Sequence, residues 1–190
     1  MKLIIDFDDT LFSAKDFKEF MFLQLEGFGI DKEMVAKYYL ENRGSFTNPR
    51  NFFLSFVLDN GINISVTKID EIVLHLFSDL KKFLNQELID IIKSLGPENC
   101  FIVSTGEEEH QRRKINSCEI EELFGEIHIV GENKNEAIEG LMAKFKEEDF
   151  VFVDDKTENI KRAKQIVNKD QELHVVHYPT EIDRLKSLMK

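Results

Sequence analysis

Apolar residues follow two rhythms along the chain. Short runs rich in Ile, Val and Phe occupy residues 2–7, 101–103, 126–130, 150–153 and 173–177, each followed by polar positions. Their brevity and their β-branched and aromatic content predict buried strands rather than helices. Between them, apolar residues fall at helical offsets. Leu84, Leu88, Ile91, Ile92 and Leu95 share one face, and Gly96-Pro97 then supplies a stop. Ile138, Leu141, Met142 and Phe145 repeat the pattern, and Ile160, Ala163 and Val167 do so more weakly. Such alternation of strand and helix predicts a parallel sheet covered by helices, because each parallel crossover must return along the outside.

Residues 15–82 break this rhythm. Ile69, Ile72, Val73, Leu76, Phe77 and Leu80 form the cleanest amphipathic stripe in the chain. Shorter helices are expected around Phe17, Phe20 and Met21, around Met34, Val35 and Tyr38, and around Phe52, Phe53 and Phe56. Turn signals at 27–29, 43–49 and 59–63 separate them. The expected organisation is a core of residues 1–14 and 83–190, with 15–82 as a helical insertion. In the alternative, these helices simply cover one face of the sheet.

Composition narrows the field. Of 190 residues, 42% are hydrophobic and 32% charged, enough apolar material for a buried core. With 25 Lys and Arg against 36 Asp and Glu, the net charge of −11 repels phosphate backbones and anionic lipids, so no nucleic-acid or membrane partner is expected. Cys100 and Cys118 form neither a C-x-x-C pair nor a disulfide framework, which suits reduced thiols. Asp6 interrupts the first apolar run too early for a signal peptide, and the densest apolar run, 52–58, is far shorter than the ~20 residues of a membrane span. A soluble, cytoplasmic protein is expected.

In open parallel sheets, ligands bind beyond the carboxyl ends of the strands, and acids gather at those ends here. The first strand runs into Asp6-Phe7-Asp8-Asp9-Thr10-Leu11, and the fourth into Asp154-Asp155. In extended chain, Asp6 and Asp8 would point the same way. Converging carboxylates repel unless a cation sits among them, and ligands that are all hard oxygens select Mg²⁺ over zinc. Such a site completes its shell with water and phosphate, which points to phosphate chemistry. The second strand ends in Ser104-Thr105-Gly106, whose hydroxyls and backbone could bind a phosphoryl oxygen. Thr105 and Glu108 also fit a capping box. Lys134 lies at the expected start of a helix, where the helix dipole disfavours a cation unless an anion is near. Residues 107–114, with Arg112, Arg113 and Lys114, read as a solvated helix, and Arg43 and Arg50 as loop arginines able to meet an anion.

Asp6-x-Asp8-x-Thr10-Leu11, Ser104, Lys134 and Asp154-Asp155, in this order on successive strand ends, resemble the four motifs of the haloacid dehalogenase (HAD) superfamily. The resemblance spans nearly the whole chain. It implies an α/β fold, a Rossmann-like three-layer parallel sheet, with a small all-helical cap inserted after strand 1. It further implies Asp6 as nucleophile and Asp8 as acid and base, with Ser104, Thr105 and Lys134 binding phosphate. Mg²⁺ would be held by Asp6, the Asp8 carbonyl, Asp155 and Asp154. A fourth motif beginning Asp-Asp departs from the commoner Gly-Asp and leaves open which acid touches the metal. The activity implied is a Mg²⁺-dependent phosphatase acting through an aspartyl-phosphate on a small phosphorylated metabolite. A phosphomutase on a sugar phosphate and a non-catalytic binding protein of the same fold are the alternatives. Asp8 is expected to have a raised pKa, from partial burial and its neighbouring carboxylate. The sequence names no protein partner.

Overall fold

The five apolar runs become the strands of one parallel sheet in the computed structural model, which describes residues 1–189 except for the side chain of Arg43. β1 (Lys2–Ile5) is central, in the order β3-β2-β1-β4-β5, with β2 (Cys100–Thr105), β3 (Glu126–Val130), β4 (Phe150–Asp154) and β5 (Leu173–His177). Ile4 sits opposite Phe101 on one side and Phe152 on the other. Successive side chains take opposite faces of a strand, and β1 shows it: Leu3 and Ile5 join one apolar cluster, Ile4 a second. The first cluster is covered by α5 (Gln86–Leu95), α6 (Glu108–Ser117) and α9 (Ile182–Leu188), through Leu88, Ile115 and Leu185. The second is covered by α7 (Asn135–Lys144) and α8 (Thr157–Ala163), through Ile138, Leu141 and Ile160. The expected three-layer α/β architecture is the one observed.

Residues 15–82 fold as α1 (Ala14–Gly27), α2 (Lys32–Glu41), α3 (Pro49–Asp59) and α4 (Val66–Leu76). Ser13, Asp31, Asn48 and Ser65 each open one of these helices by accepting the amide three residues on. Their inward residues, among them Met21, Val35, Phe56 and Ile72, are buried in the same cluster as Leu3 and Ile5. The insertion therefore shares its apolar core with one face of the sheet. The chain enters and leaves it side by side: Phe12 bridges Leu84 antiparallel, and the Ser13 amide donates to the Phe83 carbonyl at 2.9 Å.

Three local expectations change. Val167 lies beyond α8 and is 86% exposed, because the helix ends at Ala163. The stripe of α4 stops at Leu76, with Leu80 buried after the helix has ended. β3 is only half-buried throughout, as befits an edge strand. Cys100 and Cys118 are both free and buried, and burial pushes both thiols up to about 12. Among the described residues, no helix is long and apolar enough to cross a membrane.

Candidate active site

β1 continues its ladder for one residue, the Asp6 amide donating to the Val153 carbonyl at 2.9 Å. The backbone of Asp6 is thereby fixed at the carboxyl end of the central strand. The chain then turns tightly. Leu11 and Phe12 amides both return to the Phe7 carbonyl, and Asp9 takes a φ of 59°, a left-handed conformation that Asp tolerates better than most residues. The two acids beside this turn take different partners.

Asp6 faces Lys134. The Lys134 ammonium lies 2.5 Å from Asp6 Oδ1 and 2.6 Å from Asp154 Oδ2, and all three side chains are buried. Lys134 occupies the N-cap position of α7 with no capping bond, and these anions answer its unfavourable place on the dipole. Asp154 is saturated. Besides Lys134 it accepts the Lys156 amide at 2.8 Å and both of its oxygens accept from Asn159 Nδ2. Asp155 is half-buried, and Thr10 Oγ1 donates to it at 3.4 Å.

Carboxylate oxygens of Asp6, Asp154 and Asp155 lie within 4.8 Å of one another. Three acids against one ammonium leave a local deficit of positive charge. Asp6 Oδ2 is buried with no hydrogen-bond partner among the described residues. Three carboxylates, one of them half-buried at the surface of the cluster, are the hard-oxygen donor set that a divalent cation takes. Burial foremost, opposed by Lys134 and reinforced by Asp154, raises the Asp6 carboxyl to about 7.

Asp8 is placed differently. Its side chain pairs with Lys114 Nζ, at 2.5 and 2.6 Å to its two oxygens, and accepts from Gln111 Nε2 at 2.7 Å. Burial would raise its pKa, but the Lys114 charge and these hydrogen bonds outweigh burial and lower it. The expected raised pKa is thus corrected, and so is the solvated reading of Lys114, whose side chain is 6% exposed. Lys114 shares the buried face of α6 with Gln111 and Ile115. Its sequence signal was the spacing from Ile115 and Cys118: a helix turned to bury those two carries Lys114 inward as well. Asn159, one turn into α8, was likewise missed.

The second strand's end also differs from expectation. Ser104 Oγ is buried without a partner among the described residues, open to a ligand. Thr105 is half-buried and does not cap α6; Glu107 does, accepting the Glu109 and His110 amides. The Gly106 amide is engaged by the Val130 carbonyl at 3.0 Å and so is not free for a phosphoryl oxygen. Gly106 has a φ of 147°, and a Cβ there would meet the Gln111 side chain at 2.9 Å. Glycine at this position leaves room for Gln111 to reach Asp8. Arg50 is exposed and paired with Asp70, while the Arg43 side chain lies outside the described residues.

No protein-family model and no curated protein matches the sequence. Solved structures do match. A haloacid dehalogenase-like hydrolase from Burkholderia xenovorans aligns over 96% of this chain and 89% of its own, with 19% identity and a TM-score of 0.65. The HAD-hydrolase YfnB from Bacillus subtilis, solved bound to magnesium, aligns over 100% and 98%, with 15% identity and a TM-score of 0.56. L-2-haloacid dehalogenase from Xanthobacter autotrophicus aligns over 100% and 99%, with 11% identity and a TM-score of 0.54. The chain has the fold of the HAD-like hydrolases.

Proposed function

We propose that the protein is a Mg²⁺-dependent phosphoric monoester hydrolase acting through an aspartyl-phosphate on a small phosphorylated metabolite. The observation that carries this reading is Asp6 at the end of the central strand, with one oxygen held by Lys134 and the other, Oδ2, buried with no hydrogen-bond partner among the described residues. A nucleophile needs one free, oriented oxygen, and Asp6 has it.

Asp6 Oδ2 forms the new bond to phosphorus as the bond to the leaving alcohol breaks, and the alcohol oxygen takes a proton from Asp8. Water then attacks phosphorus, giving its proton to Asp8, and phosphate leaves with Asp6 restored. Lys134 and Ser104 hold phosphoryl oxygens, with Thr105 beside them at the strand end. Bound Mg²⁺ supplies neutralisation of the phosphate charge that a carboxylate nucleophile would otherwise repel. Asp6, Asp155 and the Asp8 carbonyl would hold it. Asp154, with its oxygens taken up by Lys134, Asn159 and the Lys156 amide, is assigned to orienting Lys134. Lys114 keeps Asp8 ionised before substrate arrives, the form required of the base in the second half. For the first half, Asp8 takes up the remaining proton of a substrate that arrives as the phosphate monoester monoanion and passes it to the leaving oxygen.

Several neighbours in fold are dehalogenases, but an acid at position 8 and paired acids after β4 serve phosphoryl transfer, which needs a leaving-group acid and a metal. Asp6→Asn is expected to abolish Mg²⁺-dependent hydrolysis of p-nitrophenyl phosphate while leaving the circular dichroism spectrum unchanged. Undiminished turnover in that variant would remove Asp6 as nucleophile.

A further inference from the structure

A cavity of about 230 Å³ lies between the helical insertion and α6, and Asp8 and Lys114 are among the residues that line it. We propose that this cavity holds the alcohol portion of the substrate, and that this portion is a single ring-sized group with apolar faces and a hydrogen-bonding edge. The proposal rests on the phosphatase reading and names its substrate class.

Size comes first. An apolar cavity of about 150 Å³ accepts benzene, and sites for drug-sized ligands begin at about 300 Å³. The space here falls between the two, which admits one substituted ring and is too small to enclose a nucleoside. The walls are Phe12, Phe17, Met21 and Phe46. Aromatic edges and faces and an adaptable thioether suit a flat apolar body. A sugar carries hydroxyls all round its ring, and those turned to the four apolar walls would lose water without replacement hydrogen bonds, at a cost for each one buried.

Besides Asp8 and Lys114, the polar side chains of the lining are Lys18, Tyr39, Thr47 and His110. His110 also lines the cavity, and its Nδ1 is buried with no partner among the described residues. Burial foremost, with the Lys114 charge, lowers the imidazole to about 4, so the ring is neutral near pH 7. A neutral imidazole nitrogen offers one hydrogen bond and no charge. Lys114 is committed to Asp8. Lys18 is half-buried beside the Tyr39 ring. A larger cavity, about 350 Å³, is lined by Asp9, Asp16, Lys82 and Tyr178 but not by Asp8, so a leaving alcohol lodged there would lie apart from its proton donor.

The test compares phenyl phosphate, glucose 6-phosphate and AMP as substrates of the whole chain with Mg²⁺, and phenylphosphonate with methylphosphonate as ligands by calorimetry. Phenyl phosphate is expected to have the highest kcat/KM, by roughly tenfold or more, and phenylphosphonate to bind correspondingly tighter than methylphosphonate. A kcat/KM for the sugar phosphate or nucleotide equal to or above that for phenyl phosphate overturns the proposal, as do equal affinities for the two phosphonates. Turnover of none of the three, with the phosphonate preference intact, defeats the phosphatase reading and with it the leaving-alcohol role, while the preference of the cavity for a ring stands. Ala14→Leu, which narrows the same cavity, should raise KM for phenyl phosphate roughly tenfold and erase the phosphonate preference. An undiminished preference in the folded variant overturns the proposal.

Discussion

Asp8 and Lys114 show how much one buried pair can hold. Their side chains are 23% and 6% exposed, so removing either partner strands the other away from water. Lys114→Met is expected to cost about 3 kcal/mol, toward the low end for a broken buried pair because Asp8 keeps some solvent contact; urea denaturation measures it. His110 supplies a pH dependence with a definite sign. An ordinary imidazole titrates near 6.5, whereas this one is held down to about 4. Between those values the unfolded chain binds a proton that the folded chain refuses, so stability present above pH 6.5 is lost as pH falls toward 4. Wild type should therefore lose stability relative to His110→Gln between pH 7 and pH 5, read from urea midpoints. Asp6, Asp154 and Asp155 were legible as a group because each follows an apolar run, and strand ends in a parallel sheet share one edge. Lys114 was not, because the charge pattern of α6 looks solvated until the rotation of the helix is known. Nor was the partner of Asp8 legible, since Lys114 lies 106 residues further along the chain.

At the level of elements, capping and periodicity carried most of the information. The helices of the insertion begin where Ser13, Asp31, Asn48 and Ser65 can accept amides; Phe17, Met21, Val35, Phe52, Phe53, Phe56, Ile69 and Ile72 are buried as the spacing predicts, whereas Met34 is exposed. Spacing failed where a helix ended early, at Ala163 and Leu76, since an apolar residue keeps its periodic place whether or not the backbone continues. Nor could it say that the insertion's core merges with that of the sheet. That merger has a thermodynamic consequence. Ile72 of α4 is fully buried in the shared cluster, so Ile72→Ala should cost about 3 kcal/mol and shift one cooperative transition rather than split it. Near-ultraviolet dichroism, to which Tyr38 and Tyr39 of α2 contribute, and far-ultraviolet dichroism should give coincident curves.

For the molecule as a whole, the carboxylates of the site form part of a net charge of −11. A divalent cation bound only by the folded state adds stability, about 2.7 kcal/mol at a hundred times its dissociation constant. Mg²⁺ is thus expected to raise the Tm of wild type. Asp155→Asn should lose most of that rise, because it removes the most accessible carboxylate of the cluster; differential scanning calorimetry reads both. The parallel α/β architecture was legible from alternation alone, and its likeness to the HAD-like hydrolases lies in the arrangement of elements at 11–19% identity.

Both native thiols, buried and about 12 in pKa, present almost no thiolate to a reagent. A maleimide dye should therefore ignore them, and pairs of engineered surface cysteines on either side of the Phe12–Leu84 crossing could be labelled in the otherwise native chain. The distance between the insertion and the sheet, with and without a phosphate ligand, would then be readable by energy transfer without first stripping the protein of its own sulfur.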